Sequence, residues 1–152
     1  MTKPELLLPA GNIENLHAAL ESGADAVYLG LKQFNARGRA DNFSLSDLNN
    51  AVHLFHQQGK KIFVTLNTVV KNIEIQEIND LLNVLHTINP DALIIQDIGM
   101  YRLIRKGGYK TLSLHSSTQM GFHNSLGVSY AAQLGFERAI LSRELTKTEL
   151  EQ

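Results

Sequence analysis

Six short apolar runs alternate with amphipathic stretches along the chain, and this alternation limits the fold more than any single residue does. The runs are residues 5–8, 26–29, 61–66, 92–95, 111–114 and 138–141. Ile62-Phe-Val-Thr-Leu66 and Ala92-Leu-Ile-Ile95 are almost continuously apolar, the mark of parallel strands covered on both faces. The stretches between them have helical spacing and readable ends. Asn12 predicts an N-cap for a helix to about Ser22, closed by Gly23. Ser44 and Asp47 predict a capping box for the next helix, which Gly59 ends. Ile75, Ile78, Leu82 and Leu85 define a third that stops near Pro90, and Met100, Leu103 and Ile104 a fourth running into Gly107-Gly108. Residues 126–134 form a fifth, and Leu145 to Leu150 starts a sixth.

Successive strands begin roughly 20 to 35 residues apart, the spacing of βα units. Two parallel α/β architectures use such units. A doubly wound sheet places helices on both faces and a ligand at a switch point. A TIM-type barrel gathers every strand-end loop on one rim. Polar clusters follow all six strands here, which favours the barrel. A complete (βα)8 barrel takes about 250 residues, and this chain has 152. The expectation is an incomplete TIM-type (βα) barrel of about six parallel units, a single domain over 1–152 that is the N-terminal part of a larger barrel. Strands one and six are then unpaired edges, open to oligomerisation or to a partner chain.

Composition removes several classes of function. The chain has no cysteine, hence no disulfide, thiolate nucleophile or cysteine-held metal or cluster of its own. Its net charge of -1 argues against a broad nucleic-acid footprint. Lys60-Lys61 and Arg102, Arg105, Lys106 and Lys110 could form a local basic patch or simply a solvated helix face. No apolar run approaches the ~18 residues of a membrane span, and the first residues lack a signal-peptide pattern. The cytoplasm is the expected compartment.

The strand ends collect the candidate site. The second strand leads into Asn35-Ala-Arg-Gly-Arg-Ala-Asp-Asn-Phe43, with Arg37, Arg39 and Asn42. Asn67 follows the third strand, Gln96-Asp97 the fourth, His115-Ser-Ser-Thr-Gln119 the fifth, and Ser142-Arg143-Glu144 the sixth. Arg37 and Arg39 suit a bidentate clamp on a carboxylate or phosphate, or ion pairs with Asp41 and Glu144. Asn67 and Gln96 either contact substrate or satisfy backbone groups. Asp97 is a helix cap or a ligand group. Pro9-Ala-Gly11 either turns the chain or lets a ligand approach the backbone. His115 is the candidate catalytic residue, since histidine titrates near neutral pH. His115 and His123 lack an obvious third metal ligand, so no metal site is expected. There is no Gly-x-Ser-x-Gly elbow, Walker loop or dinucleotide fingerprint.

The ordered runs Glu5-Leu-Leu-Leu-Pro-Ala-Gly-Asn12, Gly23-Ala-Asp-Ala-Val-Tyr-Leu-Gly30, Phe34-Asn-Ala-Arg37 and Ala40-Asp-Asn-Phe-Ser44 resemble peptidase family U32, the collagenase-like group. The likeness continues through Val64-Thr-Leu-Asn-Thr68, Ile95-Gln-Asp97, His115-Ser-Ser-Thr-Gln119, Leu134-Gly-Phe-Glu-Arg138 and Ser142-Arg-Glu-Leu145. The resemblance implies a bacterial barrel enzyme acting on a protein, peptide or RNA. It spans peptidases and hydroxylases of ribosomal RNA, transfer RNA and ubiquinone precursors. It also implies a four-iron, four-sulfur cluster in longer members, with cysteines beyond the point matching Arg143-Glu144, and a prephenate-like hydroxyl donor. Under it, Arg37, Arg39 and Arg143 would hold an anion, His115 would move a proton, and Asn42, Asn67, Gln96, Gln119 and Glu144 would complete the substrate contacts. The competing expectation is a non-catalytic subunit that completes its open barrel with another chain.

Overall fold

A computed structural model describes residues 3–36, 38 and 41–151. Six parallel strands run in sequential order: β1 (Leu7–Ala10), β2 (Ala26–Gly30), β3 (Lys61–Leu66), β4 (Ala92–Ile95), β5 (Leu114–Ser116) and β6 (Arg138–Ala139). The helices are α1 (Ile13–Glu21), α2 (Leu45–Gln57), α3 (Ile75–Ile88), α4 (Ile98–Lys106), α5 (Ser125–Gln133) and α6 (Lys147–Leu150). Short 3-10 turns at Asn72–Glu74 and Thr118–Met120 precede α3 and α5.

Sequential parallel order with crossovers of one hand places the helices on one face, and such a sheet curls toward a barrel. The core shows this division. Val27, Leu29, Ile62, Val64, Leu66, Leu93, Ile95 and Leu114 share one cluster with Leu16, Phe55, Leu82, Leu85, Met100 and Ala131 of the helices. The alternate strand residues Ala26, Phe63, Ala92 and Ile94 form a second cluster on the other face, with Leu7, Tyr28 and Ile140 against it. The curl is visible at the edges. In a flat sheet five inter-strand steps of about 4.8 Å would hold β1 and β6 about 24 Å apart. Instead Arg138 of β6 donates to Glu5, just ahead of β1, at 2.5 Å.

The expected caps form. Asn12 accepts from the Asn15 amide at 2.9 Å, and Ser44 and Asp47 make the reciprocal capping box. Asn89 ends α3 in the left-handed conformation, which asparagine tolerates. Asp97 proves to be the N-cap of α4, accepting from Met100 N–H at 2.7 Å.

Strands one, five and six differ from expectation. The first lies two residues later, because Leu6 N–H bonds the Asp25 carboxylate instead of the ladder. Pro9 therefore sits inside β1; an edge strand accommodates a residue without an N–H. Residues 111 and 112 are drawn into a turn, with Leu112 N–H on the Tyr109 carbonyl, so β5 begins at Leu114. His115 and Ser116 consequently lie within the sheet instead of in a rim loop. The sixth strand is only two residues long.

Candidate functional site

A cleft of about 920 Å³ follows the concave side of the sheet to the carboxyl ends of the strands. Its inner part is walled by Glu5, Leu7, Tyr28, Ile94 and Arg138, and its rim by Asn35, Asn42, Thr65, Asn67, Gln119 and Arg143. Barrel chemistry concentrates at this end because strand-end loops can vary while the sheet holds them in place.

At the inner end, the Glu5 carboxylate accepts from Lys61 at 2.9 Å and from Arg138 at 2.5 Å. Burial alone would push this carboxyl up. Hydrogen bonds and charge from Lys61 and Arg138 more than offset that, leaving it below the usual carboxylate range. The Arg138 guanidinium also lies 5.3 Å from the centre of the Phe63 ring.

His115 stands beside this group, on β5. It is 3% exposed, and its ring meets Phe63 edge-on at 4.7 Å. Burial lowers its pKa to about 4, and the positive charge of Arg138 adds to the effect. Its Nδ1 has no hydrogen-bond partner among the described residues. His115 is therefore a buried neutral imidazole on the inner face of the sheet, in register with Ile94 and Arg138, not a rim side chain. His123 is exposed, with Nδ1 2.6 Å from the Gly121 carbonyl. Among the described residues no group of three or more histidines and acids could hold a metal.

The rim divides into two kinds of residue. Asn42, Asn67 and Gln96 are committed to one another's loops. Asn42 Oδ1 accepts from Asn35 at 2.8 Å, Asn67 Oδ1 accepts from Ala36 N–H at 3.1 Å, and Gln96 donates to the Asn67 carbonyl at 2.8 Å. Asn42 and Asn67 still line the cleft, whereas Gln96 braces Asn67 from behind. Gln119 and Arg143 also line it, and their side chains bond no other described residue. Glu144 is exposed and does not line the cleft. Arg37 and Arg39 lie outside the described residues.

Sequence reasoning missed Asn35, Thr65, Glu5 and Arg138 as cleft residues. Strand parity could have found the last two. Arg138 shares its face with Ile140, and Glu5 lies two residues before Leu7, so both point to the concave side.

Parallel βα units, a curled sheet and a polar strand-end cleft define a half-barrel of the TIM type. The chain belongs to peptidase family U32, whose model matches residues 11–152. It is 38% identical to the tRNA hydroxylation protein P of Escherichia coli over 100% of this chain and 33% of that protein. It is 35% identical to an uncharacterized protease of Methanocaldococcus jannaschii, over 100% of this chain and 36% of the other. A 23S rRNA 5-hydroxycytidine synthase of Escherichia coli is 38% identical over 93% of this chain and 21% of the enzyme. The chain thus spans about a third or less of these relatives. A solved U32 peptidase superposes with a TM-score of 0.70 at 9% identity, over 93% of this chain and 59% of that one, which shows the common fold.

Proposed function

We propose that this chain is the base-recognition portion of an RNA-hydroxylating enzyme. The observation that carries the reading is the rim. Gln119 and Arg143, whose side chains bond no other described residue, stand at the mouth of a cleft large enough for a flipped nucleotide. Enzymes that modify a base take it out of the stack and read its polar edge with side chains such as these. Gln119 would bond the base edge, Tyr28 would pack against its face, and Arg143 would hold a phosphate or carboxylate. Arg37 and Arg39 would add to that anion site. The two RNA-modifying relatives support an RNA substrate.

A peptidase reading needs a nucleophile joined to a base. His115 is buried, and its Nδ1 meets no such group among the described residues. A prephenate-like dicarboxylate is the small molecule that the arginines would suit. A four-iron cluster needs thiolates, and this chain has no cysteine, so its own residues do not fit one. In this reading any such cluster is held by residues outside these 152. No helix among the described residues is long and apolar enough to cross a membrane.

The test is binding of a labelled, unmodified anticodon stem–loop, with a collagen-like peptide as competitor. The expected result is RNA binding that weakens about tenfold in Arg143→Ala, the loss of one charge-assisted bond. Peptide binding without RNA binding would overturn the reading.

A further inference from the structure

Asn35 lies flat against the backbone at the end of β2. A Cβ at Gly30 would come within 1.8 Å of Asn35 Nδ2 and 2.4 Å of its Cγ. Only glycine leaves room for the carboxamide there. Both ends of that carboxamide are engaged. Its Oδ1 accepts from the buried Thr65 hydroxyl at 3.3 Å, a proton shared with the Leu29 carbonyl at 3.0 Å. Its Nδ2 donates to Asn42 Oδ1 at 2.8 Å.

The surrounding backbone is built to the same end. Phe34 and Asn42 flank the segment with φ of 56° and 54°. Asparagine tolerates this left-handed region; for phenylalanine it is an outlier that the surroundings must enforce. The segment leaves and returns at one point, where Phe43 N–H bonds the Gly30 carbonyl at 2.9 Å and Lys32 N–H bonds the Phe43 carbonyl at 3.3 Å. Asn42 N–H bonds the Gly11 carbonyl at 3.0 Å, and Ala36 N–H reaches Asn67. The ends of β1, β2 and β3 therefore all hold this one loop.

We propose that Asn35 is a positioning residue: seated over Gly30, its carboxamide joins Thr65 to Asn42 and fixes the loop's ends as one wall of the cleft. Its consequence for substrate rests on the RNA reading above. Its consequence for the loop does not.

Backbone amide exchange on the full chain tests the idea. Asn35→Asp is nearly isosteric but turns a carboxylate oxygen toward Asn42 Oδ1. The Ala36 and Asn42 amides should then exchange at least tenfold faster, with Leu93 and Ile95 amides within twofold of wild type. Gly30→Ala, which displaces the carboxamide, should reproduce Asn35→Asp. Binding of the anticodon stem–loop should weaken about tenfold in Asn35→Asp. Unchanged loop amides or equal acceleration of the core amides would each overturn the proposal. A wild-type chain that binds no RNA would defeat the RNA reading and leave the exchange result to decide the role of Asn35.

Discussion

Acidification should destabilise this fold through His115, and the size of the effect can be worked from its surroundings. The imidazole titrates near 6.5 in an unfolded chain and at about 4 in the sheet. Burial is the larger cause and the Arg138 charge the next; Lys61 adds to them, while Glu137 and Glu5 pull the other way. Between those two values the unfolded chain binds a proton that the folded one refuses. Stability therefore falls as pH drops below 6.5, and the loss is complete near pH 4. Over the full range the shift is worth about 3 kcal/mol, and between pH 7.5 and 5 about 2 kcal/mol. For a chain of this size that is a fall in Tm of about 4 to 8 °C. The assay is thermal unfolding at both pH values for wild type and His115→Gln. Carboxylates contribute to both proteins and cancel in the comparison. His115→Gln should lose less stability on acidification by about 2 kcal/mol. Equal pH dependence would refute the claim that His115 is held neutral by burial.

Other perturbations test separate parts of the structure. Asp97→Ala removes the α4 cap and the contact from Val70 N–H at 3.3 Å, and should cost about 1 to 2 kcal/mol in denaturant unfolding. Leu82→Ala, at a fully buried position of α3, should cost about 2 to 5 kcal/mol by the same measurement. Glu5→Gln breaks the link between the edge strands. Arg138 and Lys61 are partly exposed, so the expected loss is only about 0.5 to 1 kcal/mol. That difference should be present at pH 7 and vanish as pH falls through the lowered Glu5 pKa, as read by Tm. In a full-length active relative, the residue matching His115 changed to Ala should cut turnover by about 10² to 10⁴ if it transfers a proton. Turnover within threefold of wild type would remove it from the reaction.

The strands that sequence located well are those whose neighbours cover both faces. β3 and β4 lie inside the sheet, so their apolar runs coincide with their ladder bonds. A competing local hydrogen bond breaks that correspondence, at the edge in β1 and inside the sheet at β5. In β1 the ladder starts just after Leu6, whose N–H the Asp25 carboxylate captures, a contact between residues 19 apart in sequence. At β5 the alternating Thr111-Leu-Ser-Leu114 pattern competes with a turn closed by Tyr109, and the turn takes its first two residues. Polar His115 and Ser116 then become strand residues, although their composition reads as loop.

The same distinction explains the site. Strand ends located Asn42, Asn67, Gln119 and Arg143 at the cleft because barrel topology alone puts them there. Composition could not separate residues that hold the wall from residues left to meet a ligand. That separation depends on a glycine with no room above it, a hydroxyl 30 residues away and two left-handed backbone angles. Asn35 looks like any loop asparagine in sequence, yet its neighbours commit both ends of its amide. Gln119 looks equally ordinary and lines the cleft with a side chain that bonds no other described residue. Substituting the first should therefore loosen the wall, whereas substituting the second should weaken the ligand while leaving loop amides protected. Measured together, exchange and binding separate architecture from recognition at a rim where both use the same carboxamide chemistry.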